Sequence, residues 1–290
     1  MTLQRWEHAS PVVGVTLRGW RTPARGKPLL HFLHGNGFCA RTYEPMLQPL
    51  AADFDLWLCD APGHGDSDVP AQFPGWNAFA LAALEAFQAQ APQCFGAAPR
   101  MALGHSLGGV MTTLMLAEAK QPFTRAVLLD PVLFSPAMLD ELGGPDALDR
   151  SPLARATLRR RRTWPSRKEA ANALRGRGTY EGWTEPALRA FVTHALRDEA
   201  DGGVALKCPP ELESAIFCSA PTGLWDAVAR VATPTLILHG RESMPFVADS
   251  AGRAAGMNAA ITEAATPGGH CFMQQHPAEA AAAARAFLLG

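Results

Sequence analysis

Gly104-His105-Ser106-Leu107-Gly108 is a G-x-S-x-G run set between a strand-like and a helix-like segment. Before it, Met101-Ala102-Leu103 reads as the end of a buried strand. After it, Gly109 to Lys120 is a run of mostly good helix formers. A serine on a tight strand-to-helix turn is held in a strained conformation with its hydroxyl exposed. The flanking glycines follow because a Cβ there would strike the neighbouring strand and helix. The turn also puts the Leu107 N–H at a helix start, where it can hold a developing oxyanion. The chemistry this spacing points to is nucleophilic attack by Ser106.

A serine nucleophile needs a base. Of the nine histidines, His270 in Pro267-Gly268-Gly269-His270 stands where the chain order serine, acid, histidine requires one. A neutral imidazole there can accept the serine proton. His31, His34, His105 and His239 abut strands and read as core or loop-bonding residues, and His64 sits in the turn Gly63-His64-Gly65. The small-residue segment His34-Gly35-Asn36-Gly37 follows a strand and can turn a backbone N–H toward the serine. Asn36 is best placed, and with Leu107 it forms the expected oxyanion hole.

These residues need a frame. Short β-like runs alternate with helical patterns through the first half, which predicts an α/β fold with a mostly parallel twisted sheet and helices on both faces. The expected strands are Pro11–Leu17 at an edge, then 28–33, 54–59, 101–103 and 125–129, the last leading to Asp130-Pro131. Helices are expected over 42–52, from Trp76 to Gln90 with an end near Pro92, and after Ser106. The pattern resumes with a strand at 235–240, a weaker one at 258–263, and a helix from Pro277 to Leu289.

Between Val132 and Val231 the character changes: arginines, prolines and three tryptophans replace the β-like runs. A stretch that long is not a simple connection. The expected organisation is a core of 1–131 and 232–290 with a mainly helical cap, 132–231, inserted over the strand ends. Trp183 and Trp225 are the candidates for lining a substrate pocket beneath it. Arg159-Arg160-Arg161-Arg162 reads as a solvated helix face.

Composition narrows the partners. With 290 residues and 48% hydrophobic content, the chain supports one large core. A formal net charge of −1 gives no case for nucleic acid or an anionic membrane. No apolar run reaches the ~20 residues that span a bilayer. The polar N-terminus does not read as a signal peptide, so a cytoplasmic location is expected. Six scattered cysteines read as reduced thiols, and no His, Cys and carboxylate cluster has metal-ligand spacing. Nothing in the residues bears on oligomeric state.

Four segments together resemble the α/β-hydrolase superfamily: His34-Gly35, Asp60-Ala61-Pro62-Gly63-His64-Gly65-Asp66-Ser67, Gly104–Gly109 and Gly269-His270. The resemblance covers the core on both sides of the insertion. It implies a Ser–His–acid triad, a backbone oxyanion hole, no cofactor and a lid formed by the insertion. There is one departure. Many relatives carry an Asp three residues after a Gly on the strand before the last, but here Gly240-Arg241-Glu242-Ser243 puts Ser243 in that place. Glu242 is one residue early and would point elsewhere. Asp130, from which some members of the superfamily take their acid, is therefore the favoured acid and Glu242 the alternative.

The expected activity is hydrolysis of a small hydrophobic carboxylic ester, or a related acyl bond, through an acyl-enzyme on Ser106. A cofactor-free haloperoxidase (perhydrolase) or a carbon–carbon bond hydrolase would use the same residues. A non-catalytic ligand-binding protein on the same scaffold is the alternative from another class.

Overall fold

Short apolar runs, buried on both faces, make the centre of the sheet. The structure is a computed structural model and describes residues 1–142, 144 and 146–290; positions 143 and 145 of the expected cap lie outside the described residues. In chain order, the first six strands are β1 (Gln4–Ser10), β2 (Val15–Arg21), β3 (Leu29–Leu33), β4 (Asp55–Cys59), β5 (Arg100–His105) and β6 (Arg125–Leu129). They are followed by β7 (Thr163–Trp164), β8 (Leu196–Asp198), β9 (Val204–Leu206), β10 (Thr235–Gly240) and β11 (Ile261–Thr266).

The main sheet has the order β1-β2-β4-β3-β5-β6-β10-β11. β1, β2 and β4 pair antiparallel, and β4 through β11 of that order run parallel. Side chains alternate across it, as the twofold period of a strand demands. Leu29 and Leu33 join one apolar layer with Phe79, Phe87, Val110 and Met111. Leu30 and Phe32 join the other with Met46, Leu50, Phe272 and Leu288. Helices thus cover both faces. Among the described residues, no helix is long and apolar enough to cross a membrane.

The departures from expectation have local causes. The edge at 11–17 is a hairpin in which Pro11 belongs to the turn and β1 precedes it. β1 buries little beyond Trp6 and Ser10, so its sequence carries almost no apolar pattern. Trp6 holds it by stacking on Trp57 at 4.5 Å and donating to Leu58 O. The helix from Trp76 runs past Pro92 to Phe95 and stops at Gly96, whose φ of 59° is left-handed.

Residues 132–231 are mainly helical but also hold an antiparallel sheet of order β7-β9-β8. Strands of two or three residues leave no alternating pattern to read. The arginine run is not one solvated helix face either, because the helix Pro152–Arg159 ends at its first arginine. Arg160 turns inward to Glu213 and Tyr180, and Arg162 pairs with Glu211.

β3, β5, β6, β10 and β11 are consecutive neighbours, so their carboxyl ends lie side by side. His34–Asn36, Ser106, Asp130, Glu242–Ser243 and His270 all follow those ends. In open α/β sheets this edge is where ligands bind.

Candidate active site

Ser106 joins β5 directly to the helix Leu107–Leu116. The reversal forces its backbone to φ 53°, ψ −115°. A Cβ on Gly104 would stand 2.3 Å from Gly108 O, and one on Gly108 would stand 2.3 Å from Leu33 O. Glycine at both places is therefore a packing requirement. Apart from glycines, Ser106 and Asp130 (φ 45°) are the described residues with positive φ. Such conformations cost on the order of 1–3 kcal/mol and persist where the surroundings impose them.

The structure brings Ser106, His270 and Asp130 together. His270 Nε2 lies 2.9 Å from Ser106 Oγ, and His270 Nδ1 lies 2.6 Å from Asp130 Oδ2. The carboxylate can only accept from Nδ1–H. Nε2 is then the bare nitrogen that faces the serine hydroxyl. The expectation of a solvent-facing hydroxyl is corrected: Ser106 is 8% exposed, with the His270 ring hydrogen-bonded over it.

Asp130 is fully buried, which is costly for a carboxylate unless its oxygens are bonded. Oδ1 accepts from Gly240 N at 2.8 Å, and Oδ2 accepts from Ser243 Oγ as well as from His270. Ser243, three residues after Gly240, is thus a donor to the aspartate that follows the neighbouring strand. Glu242 goes elsewhere. It is exposed, and its carboxylate accepts from Gly268 N in the turn before His270.

The two expected oxyanion donors sit on touching segments, since Gly108 N donates to His34 O at 3.1 Å. Leu107 opens its helix, so its N–H has no intrahelical acceptor. The Asn36 side chain is already engaged: Nδ2 donates to Glu213 O, and Oδ1 faces His64 Nε2. What Asn36 has left to offer is its backbone N–H. Together these groups can activate a hydroxyl, stabilise a protonated imidazole and meet a developing oxyanion.

Trp183 and Trp225 both make packing contacts. Trp183 sits in an aromatic cluster with Phe38, Tyr180 and Phe191. That places it beside the oxyanion loop. Trp225 donates to Phe134 O and lies under the Arg253 guanidinium. A cleft of about 710 Å³ reaches His270, with Glu181, Glu242 and His276 among its walls. A cavity of about 950 Å³ lies along β7 and β9 near Arg161 and Arg197, and none of Ser106, Asp130 and His270 lines it.

Burial sets the charge states around the site. It pushes the His34 imidazole down to about 3 and His64 to about 4, and it holds His105 well below the ordinary range. All three are neutral at pH 7. The Cys271 thiol beside His270 is pushed up to about 12, so it is not a competing nucleophile.

Sequence reasoning missed His105 and Tyr43. Tyr43 Oη lies 2.6 Å from His105 Nδ1, and His105 Nε2 lies 2.9 Å from His270 O. The available signal was a histidine directly before the serine, which by itself reads as a core residue.

Comparison with known proteins agrees with this architecture. A family model described as "Alpha/beta hydrolase family" matches residues 32–284. The Abhydrolase domain-containing protein AKT2 of Alternaria alternata is 32% identical over 114 residues, 37% of this chain and 40% of that protein. The type I acyl-CoA thioesterase mpaH of Penicillium brevicompactum is 28% identical over 181 residues, 57% of this chain and 39% of that protein. The match spans about two fifths of each relative's own length. Among solved structures, E-2-(acetamidomethylene)succinate hydrolase superposes with a TM-score of 0.79 at 22% identity, covering 100% of both chains, a likeness of fold. The matched segment runs from β3 to the last helix and contains Ser106, Asp130 and His270, and the chain belongs to the alpha/beta hydrolase family.

Proposed function

We propose that this hydrolase cleaves a carboxylic ester or thioester through an acyl-enzyme on Ser106. The observation that supports it best is the continuous chain Ser106 Oγ, His270 Nε2, His270 Nδ1, Asp130 Oδ2, with links of 2.9 and 2.6 Å. Ser106 Oγ attacks the acyl carbon while His270 takes its proton. The tetrahedral oxyanion is met by the Leu107 and Asn36 backbone N–H groups, where one such donor is worth about 10²–10³ in kcat. The intermediate collapses and His270 returns the proton to the leaving alcohol or thiol. Water, activated by the same imidazole, then releases the acid. Asp130 holds the Nδ1–H tautomer and stabilises the imidazolium.

Residues 132–231 act as the cap in this reading. Supporting it, Lys207 pairs with Asp66 at 2.7 Å, Glu213 O receives Asn36, and Thr184 Oγ1 donates to Gln274 O. The thioesterase among its relatives supports including thioesters with oxyesters. The test is a panel of matched oxyesters and thioesters of graded acyl length. Saturable turnover of one series, with a rapid burst of leaving group equal to the enzyme concentration, is expected. Absence of turnover across both series would overturn the proposal.

A further inference from the structure

His105 stands immediately before Ser106, is fully buried, and has both ring nitrogens in hydrogen bonds. At one end Nε2 meets the main-chain oxygen of His270. At the other, Nδ1 meets the hydroxyl of Tyr43, also fully buried, whose oxygen in turn lies 3.1 Å from Gly35 N. The donors can be assigned from their chemistry. A carbonyl oxygen only accepts, so His105 Nε2 carries the proton. Burial keeps the imidazole neutral, which leaves Nδ1 bare. Tyr43 O–H therefore donates to Nδ1, and the Tyr43 oxygen is free to accept the Gly35 N–H. All three bonds run in one direction, from Gly35 N–H through Tyr43 O–H and His105 Nε2–H to the His270 carbonyl.

The ends of this chain are informative. Gly35 precedes Asn36, the donor on the oxyanion side, and His270 is the base. The links join segments far apart in sequence: Tyr43 and His105 are 62 positions apart, and His105 and His270 are 165. The packing is tight, since a Cβ on Gly35 would stand 2.8 Å from His105 Nδ1. We propose that Tyr43 and His105 are positioning residues: their one-way hydrogen-bond chain ties the backbone of the base to the backbone of the oxyanion loop beneath Ser106. The inference rests on the acyl-transfer reading of Ser106 and His270. It gives this polar pair a role within a layer that also holds Phe32, Leu103 and Phe272. A buried imidazole in one tautomer has no freedom to bond otherwise, so it fixes the height of His270 over Ser106.

The test compares Tyr43→Phe, His105→Gln and His105→Leu in the full-length protein. Tyr43→Phe keeps the ring but removes both the donor to Nδ1 and the acceptor for Gly35. It is expected to lower kcat about 10- to 100-fold with KM within about twofold, the loss that a displacement of about 1 Å produces in a reacting pair. Gln at 105 offers an amide N–H to the His270 carbonyl and is expected to retain at least about tenfold more kcat than Leu. Equal losses in Gln and Leu, or wild-type kcat in Tyr43→Phe, would overturn the proposal. If Tyr43→Phe does not fold, the Gln and Leu pair decides. Nitrogen-15 NMR of the histidines adds a readout independent of substrate. It should find His105 as the Nε2–H tautomer in the wild type, and a protonated Nδ1 would sink the idea. A wild type that neither turns over esters nor reacts with a fluorophosphonate would defeat the hydrolase reading, while the tautomer would still decide the chain of bonds.

Discussion

Ser243 Oγ and Asp130 Oδ2 are 2.5 Å apart, and the same carboxylate oxygen receives His270 Nδ1 at 2.6 Å. The carboxylate hydrogen-bonded to His270 follows β6, and Ser243, which follows β10, donates to that same carboxylate. Ser243→Ala removes one donor from a fully buried carboxylate. The expected cost is about 1–2 kcal/mol of transition-state stabilisation, a fall in kcat of about 5- to 30-fold with KM little changed. Steady-state kinetics of the purified variant checks this, and unchanged kcat would show that the bond is incidental.

The two acids separate cleanly by substitution. Asp130→Asn leaves the shape but can trap the wrong imidazole tautomer, and kcat should fall by about three to four orders of magnitude, the size of loss this change causes in a serine protease. Glu242→Gln touches only the bracing of Gly268 and should cost tenfold or less, about 1.4 kcal/mol. A crippled Glu242→Gln beside a mild Asp130→Asn would reverse the assignment of roles.

Much of the site is local in sequence, and that part was legible. The glycines around Ser106 and the short apolar runs of β3 to β6 encode a turn and a buried sheet within a few residues. The rest depends on contacts between distant segments. Whether Asp130 or Glu242 faces His270 depends on strand register between β6 and β10. The role of Ser243 is visible only once Asp130 is beside it. β1 escaped notice because one tryptophan and one serine make its buried face. The Arg160–Glu213 pair was hidden by neighbouring arginines that are exposed.

Gly108→Ala tests the close approach beneath the nucleophile turn. The added Cβ would meet backbone, Leu33 O at 2.3 Å and His34 O at 2.7 Å, which cannot swing aside as a side chain could. A loss of about 3 kcal/mol is expected, read from the denaturant midpoint. A midpoint equal to wild type would contradict the packing described.

Buried neutral histidines make stability depend on pH. His31 and His34 are pushed down to about 3, His64 to about 4, and His105 well below the ordinary value, all by burial. In the unfolded chain each titrates near 6.5, so between about 6.5 and 4 the unfolded state binds more protons. Their contribution is complete above about pH 6.5 and is lost as pH falls toward the folded values, on the order of 1–2 kcal/mol each by pH 5. Asp60, raised to about 6, and Glu213, also raised, both by burial, act with the opposite sign over part of this window but are two groups against four. The melting temperature should therefore fall from pH 7.5 to pH 5. A flat or rising profile would contradict the buried, neutral assignment.

The central claim is that Ser106 is a nucleophile activated by His270 and Asp130. The most direct measurement is reaction of the native protein with a fluorophosphonate, followed by mass spectrometry of the modified peptide. The predicted result is stoichiometric phosphonylation of Ser106, absent in Ser106→Ala and slowed by orders of magnitude in Asp130→Asn. A folded wild type that remains unlabelled, or one labelled at another residue, would contradict the account.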